Sequence, residues 1–229
     1  MQNYFLIGTM FLYFNGCSYT FGTDCVSERN LWEENRFSTL VSKHFNADHV
    51  NASVKASSND EITRRTFEFL KDNTCDYAII MMTHCTRFEL SRRLMPGRSL
   101  GWLSEEEQNI YNYFYKNFYN DDVGSLNFYK NRYILEQEFK KRNIPLILLQ
   151  YMPVSKNNVW REMCGDDLPI VVKGMMDRCD SLLGRRKNKE YFWSEKYNRT
   201  IDHFNSKGHK RIADYIIGQF SERYDESVF

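Results

Sequence analysis

Two hydrophobic rhythms alternate along this chain. Phe11-Leu12-Tyr13-Phe14, Tyr77-Ala78-Ile79-Ile80-Met81-Met82 and Ile144-Pro145-Leu146-Ile147-Leu148-Leu149-Gln150-Tyr151 are continuous apolar runs. Such runs mark strands covered on both faces of a parallel sheet, and a proline near the start of one is tolerated. A shorter strand is predicted over 48–52. Between the strands, apolar residues recur at three- and four-residue steps, which predicts helices. The first covers 30–45, with Leu31, Phe37, Leu40, Val41 and Phe45 inward. The second covers 59–71, with Ile62, Phe67 and Leu70 inward, and Ser58 with Glu61 forms a capping box at its start. Ser104 and Glu107 repeat that box before an aromatic helix reaching about Tyr119, whose Tyr111, Phe114, Tyr115 and Phe118 are read as packing residues. Asn120-Asp121-Asp122 ends it, and a helix over 125–142 follows with Tyr129, Tyr133, Ile134 and Phe139 inward. The last helix, 207–224, carries Ile212, Ala213, Ile216 and Phe220 at helical spacing.

Strands and helices in alternation, with no internal repeat, predict an α/β domain of three layers, α/β/α, with a mainly parallel sheet. The expectation is one domain over 1–229, with a helical insertion at about 86–124. An irregular region at about 152–199, with a short helix over 170–183, is expected to shape substrate access.

At 229 residues the chain can bury a substantial core without staples. Its 31 basic and 30 acidic residues nearly cancel, which argues against nucleic acid as a partner. The basic run Arg185-Arg186-Lys187-Asn188-Lys189 is read as a solvated loop. Six cysteines (Cys17, Cys25, Cys75, Cys85, Cys164 and Cys179) show no paired spacing, so reduced thiols and a cytoplasmic location are expected. The apolar stretch Tyr4 to Phe14 lacks the basic leader and cleavage site of a signal peptide, and its second half is read as the first strand. Residues 1–9 are read either as an amino-terminal extension or as lying upstream of the natural start at Met10. No apolar run approaches the roughly 20 residues of a membrane span.

The candidate chemistry begins where the first apolar run stops. Gly16-Cys17-Ser18-Tyr19-Thr20-Phe21-Gly22 reads as a tight turn at the carboxyl end of a strand, the edge at which open α/β sheets hold reactive groups. By itself the turn is equally compatible with a glycine-punctuated loop in which Ser18 only caps a helix. The far end of the chain adds Asp202-His203-Phe204-Asn205-Ser206-Lys207-Gly208-His209. A serine after the first strand and a histidine before the closing helix can meet across such a sheet as nucleophile and base.

These two blocks, with Ser57-Ser58-Asn59-Asp60-Glu61-Ile62 between them, resemble the SGNH/GDSL hydrolases, in particular their divergent phage and bacterial members. The resemblance spans most of the chain and implies a flavodoxin-like sheet. It also implies a serine esterase or acylhydrolase that cleaves a small acyl ester, an O-acetyl group on a carbohydrate being one candidate. On this analogy Ser18 is the nucleophile, His203 the base, and Gly208-His209 a structural pair. The family's acid stands three residues before the histidine, where this chain has Thr200. Either the adjacent Asp202 orients His203, or a Ser-His dyad works with a backbone carbonyl. The oxyanion donors implied are the N–H of Ser18, the N–H of Ala56 at a position where the family has glycine, and Thr83 or His84 where the family has asparagine. Asn59 is read as site support or as a helix-start residue, and Arg87 with Glu89 as a structural ion pair. No cofactor is expected. Asp202, His203, His209, His84 and Cys85 have no metal-ligand spacing, and no glycine-rich phosphate loop follows a strand. Two alternatives remain open from sequence, a binding or structural module that has lost turnover and an acyltransferase using the same serine. The oligomeric state is left open.

Overall fold

The structure, a computed structural model, describes residues 9–90, 93–95, 104–150, 193–194, 199–200 and 203–226. Strand β1 (Phe11–Asn15) leads into the single turn α1 (Ser18–Phe21). A 3-10 turn at Arg29–Leu31 is followed by α2 (Trp32–Asn35), α3 (Phe37–Phe45) and β2 (Asp48–Asn51). Then come α4 (Asn59–Asp72), β3 (Tyr77–Met82) and the two short strands β4 (Phe88–Leu90) and β5 (Arg93–Met95). Helices α5 (Glu105–Asn117) and α6 (Asp121–Lys141) precede β6 (Leu146–Gln150). The two-residue strands β7 (Trp193–Ser194) and β8 (Arg199–Thr200) pair antiparallel before α7 (Ser206–Glu226).

Four strands form a parallel sheet in the order β2-β1-β3-β6. The two-residue side-chain period of a strand sends alternate residues to opposite layers. Leu12, Phe14, Ile79, Met81, Ile147 and Leu149 meet Phe37 and Val41 of α3 and Ile212, Ala213, Ile216 and Phe220 of α7. Tyr13, Ala78, Ile80, Met82 and Leu148 meet Ile62 and Leu70 of α4 and Phe128, Leu135 and Phe139 of α6. The continuous apolar runs of the sequence are the consequence of this double coverage. The three-layer α/β/α expectation is therefore met.

Local expectations fared unevenly. Ser58 caps α4 by accepting from the Glu61 N–H, and Ser104 and Glu107 form the full reciprocal box at α5. The helix expected over 30–45 is instead three pieces, because Arg36 adopts an extended backbone (φ −76, ψ 149) and Leu31 lies at the surface. α6 starts four residues earlier than expected, at Asp121, since the Asn120 side chain caps it by accepting from Val123 N–H. Phe67, Tyr133 and Ile134, expected inward, are exposed, as is Phe118 among the aromatic packing residues. Their places are taken by Thr66, Phe128, Asn131, Arg132 and Leu135, so polar residues fill helix faces that a hydrophobic count assigns to their neighbours. The loop expected from Thr86 onward contains the β4–β5 hairpin. The short helix expected over 170–183, the basic run at 185–189, Cys164 and Cys179 lie outside the described residues. Among the described residues no helix is long and apolar enough to cross a membrane.

Candidate active site

The order β2-β1-β3-β6 reverses direction between β1 and β3, and the crevice at the carboxyl ends of those two strands is where such sheets bind ligands. Four backbone segments converge there: the turn after β1, the loop after β2, the end of β3 and the loop before α7.

The turn after β1 is fixed from beneath by Asn15, which is fully buried. Its Nδ2 donates to the Ile62 carbonyl and to Thr66 Oγ1, both at 2.9 Å, and its Oδ1 accepts the Gly16 N–H at 2.8 Å. Gly16 has no room for a side chain, since a Cβ there would meet Thr20 Oγ1 at 2.1 Å and the Met81 carbonyl at 3.0 Å. Cys17 is the N-cap, Ser18 opens α1, and Gly22 closes it in the left-handed region (φ +88). As the first helical residue, Ser18 has an N–H without an intrahelical partner, and it donates to no described acceptor.

The loop after β2 runs beside this turn, with Ala52 N–H donating to Phe14 O at 2.8 Å and Val54 N–H to Gly16 O at 3.3 Å. Asn51 ties it down by donating to Thr20 O and Ser38 Oγ. Val54 to Ser57 is a tight turn closed by Ser57 N–H to Val54 O, and its third residue, Ala56, has φ +62. Only glycine enters that region without steric cost, so the left-handed turn is held here by an alanine. The Ala56 N–H donates to no described acceptor either.

At the end of β3, Thr83 is clasped by Asn59, whose Oδ1 accepts Thr83 N–H at 2.8 Å and whose Nδ2 donates to Thr83 O at 3.2 Å. Asn59 therefore joins the start of α4 to the sheet and has its amide committed to backbone. Arg87 Nη1 donates to Thr83 Oγ1 at 3.1 Å and to Ser57 O at 3.4 Å. The expected Arg87–Glu89 ion pair does not form. Glu89 instead receives Arg64 Nη2 at 2.8 Å, because α4 presents that guanidinium directly to β4. His84 Nδ1 accepts the Thr86 N–H at 3.2 Å, which leaves Nε2 as the protonated nitrogen of the neutral ring.

The loop before α7 delivers His203. Its Nε2 lies 2.9 Å from Ser18 Oγ, across 185 positions of sequence. Asn205 caps α7 by accepting the Gly208 N–H, Phe204 is buried, and the Tyr19 ring packs against both His203 and Phe204 at about 5 Å. His209 is fully buried one turn on, stacked on Phe37, with Nδ1 accepting the Phe37 N–H at 3.2 Å. Burial, then the proximity of His203 and Arg36, pushes its imidazole down to about 3, so it is a neutral structural ring.

One residue that sequence reading missed enters the same cluster: Asp24 Oδ2 lies 3.4 Å from His203 Nδ1. The signal available for it was an acid two residues past the glycine that closes the serine turn. Thr200 belongs to β8, and Asp202 lies outside the described residues. Cys25, next to Asp24, is buried, and burial pushes its thiol up to about 11, away from nucleophilic chemistry.

No protein-family model and no curated protein matches this chain. Solved structures match it in fold. The psychrotrophic esterase EstA of Pseudoalteromonas sp., in a structure inhibited by monoethylphosphonate, is 10% identical over 94% of this chain and 98% of its own, with a TM-score of 0.51. A carbohydrate esterase, whose active site is described as displaying divergent catalytic and non-catalytic binding functions, is 11% identical over 93% of this chain and 68% of its own, with a TM-score of 0.50. A member of the lipolytic protein G-D-S-L family from Veillonella parvula overlaps less well, at 12% identity over 93% of this chain and 99% of its own, TM-score 0.45. The chain thus shares its three-layer α/β/α fold with the two esterase structures.

Proposed function

We propose that this protein is a serine esterase that cleaves a small acyl ester through an acyl-enzyme on Ser18. The observation that carries the reading is the 2.9 Å contact between Ser18 Oγ and His203 Nε2 at the switch point of the sheet. In the acylation step Ser18 Oγ bonds to the ester carbonyl carbon while its proton passes to His203 Nε2 and the carbonyl oxygen becomes an oxyanion. The tetrahedral species collapses, the carbon–alkoxide bond breaks, and Nε2 returns the proton to the departing alcohol. Water then repeats the sequence against the acyl-enzyme and frees the acid.

The oxyanion is assigned to the N–H groups of Ser18 and Ala56, both without a described acceptor, with Thr83 or His84 as the third donor. The Arg87 bond into Thr83 Oγ1 leaves the hydroxyl hydrogen of Thr83 available to donate. Asn59 and Arg87 hold the end of β3 and serve the site indirectly. As substrate class we propose an O-acylated alcohol, an acetylated carbohydrate first, a choice supported by the carbohydrate esterase that shares the fold.

The test is hydrolysis of p-nitrophenyl acetate and of acetylated sugars by the wild type, Ser18→Ala and His203→Ala. Turnover in the wild type with loss on the order of 10³-fold or more in kcat for both variants is expected. Equal rates in all three would refute the reading.

A further inference from the structure

The loop that follows the nucleophile turns back on it. Gly22 N–H and Thr23 N–H both donate to the Ser18 carbonyl, at 3.2 and 3.0 Å, and Cys25 N–H donates to Gly22 O at 3.2 Å. Beyond it, Cys25 is buried, its thiol faces the Trp32 carbonyl at 3.6 Å, and the Trp32 indole donates to Val26 O at 3.0 Å. Asp24 sits between these anchors with φ +58, a left-handed conformation that Asp and Asn tolerate better than other side chains do. Its position is therefore tied to the same residue that carries the nucleophile, and its carboxylate arrives 3.4 Å from His203 Nδ1, on the opposite side of the ring from Ser18 Oγ.

We propose that Asp24 is the positioning acid of this site, in place of an acid beside the histidine. This inference rests on the esterase reading given above. The carboxylate holds the tautomer in which Nδ1 carries hydrogen and Nε2 accepts the Ser18 proton, and it stabilises the imidazolium formed in the transition state. The contact is longer than a good hydrogen bond, as such contacts often are before substrate closes the site. The chain order of the three groups becomes Ser18, Asp24, His203, with nucleophile and acid on one short turn and the base carried in from the other end of the molecule. A site built this way tolerates Thr200 where the family has its acid.

Among the described residues, the groups facing His203 include Ser18 and Tyr19 of α1, Asp24 of the following loop, and His209 of α7 with Arg36 behind it. Among these Asp24 is the carboxylate, so removing its charge has a predictable sign: a neighbouring anion favours imidazolium, and its loss lowers the pH at which His203 titrates. Asn replaces Asp here at equal size and keeps the left-handed preference, so Asp24→Asn isolates charge from backbone.

The experiment compares the wild type, Asp24→Asn, Asp24→Glu and Asp202→Asn by two readouts. One is the pH profile of ester hydrolysis. The other is an NMR titration of the His203 imidazole, assigned by its disappearance in His203→Ala. For Asp24→Asn we expect kcat to fall on the order of 10²-fold. Its acid limb and its imidazole titration should both move about one unit toward lower pH. Asp24→Glu should recover part of both effects, and Asp202→Asn should change both less than Asp24→Asn does. If Asp24→Asn keeps the wild-type titration and rate, or if Asp202→Asn produces these changes instead, the assignment is overturned while the esterase reading stands. A wild type that hydrolyses no ester would remove the esterase reading. The NMR titration would still decide whether Asp24 controls the His203 proton.

Discussion

His209 makes the stability of this protein depend on mild acid in a way that can be worked out beforehand. The ring is fully buried, packed on Phe37 and Phe204, and its Nδ1 accepts a backbone N–H, so protonation would place a charge among aromatic side chains and break a bond. Its folded value is about 3, against an ordinary value of 6.5 in the unfolded chain. Because the folded value is depressed, this contribution to stability is complete above the unfolded value and is lost as pH falls from there toward 3. Between about pH 8 and about pH 5 the unfolded chain takes up a proton that the native protein refuses, which removes about 2 kcal/mol. Urea unfolding of the wild type and of His209→Gln at both pH values measures this, the glutamine keeping an acceptor for Phe37 N–H without titrating. Other groups titrate in both proteins and cancel in the comparison. The wild type should lose about 2 kcal/mol more than the variant across that range. Equal losses would refute the assignment of His209 as a buried neutral ring.

Two further substitutions test how the nucleophile turn and the neighbouring loop are built. Gly16→Ala forces a methyl into Thr20 Oγ1 and toward the Met81 carbonyl, and should cost about 1–3 kcal/mol in urea unfolding and abolish ester turnover. Ala56→Gly should keep turnover, since the N–H remains and the left-handed backbone is eased, whereas Ala56→Val should lower both turnover and stability, by about 1–2 kcal/mol, because a β-branched residue resists that conformation.

The parts of this molecule that were legible in the sequence are those whose causes are local. Strands covered on both faces leave continuous apolar runs, so β1, β3 and β6 announce themselves, and capping residues mark α4 and α5. α7 was legible because Ile212, Ala213, Ile216 and Phe220 recur at helical spacing, with His209 the buried polar residue on the same face. α6 was misread at Tyr133 and Ile134 because its buried face includes Asn127, Asn131 and Arg132, the asparagines donating to Asp60 and the arginine pairing with Glu136. Hydrophobic periodicity cannot see a face stabilised by hydrogen bonds. At the site, the turn around Ser18 and the loop holding His203 are marked by glycines and by the helix that follows each. Asp24 carries no such mark. Its place depends on a positive φ at a non-glycine residue and on two N–H groups converging on the Ser18 carbonyl, neither of which has a sequence signature.

The most direct test of the central claim is intact-mass detection of a fluorophosphonate adduct on the folded protein, with Ser18→Ala and His203→Ala beside it. A single adduct on the wild type, mapped to Ser18, absent from Ser18→Ala and strongly slowed in His203→Ala, is the predicted result. A folded wild type that takes no adduct, or takes it equally with Ser18 removed, would contradict the Ser18–His203 engine and point the search toward a binding role for this fold.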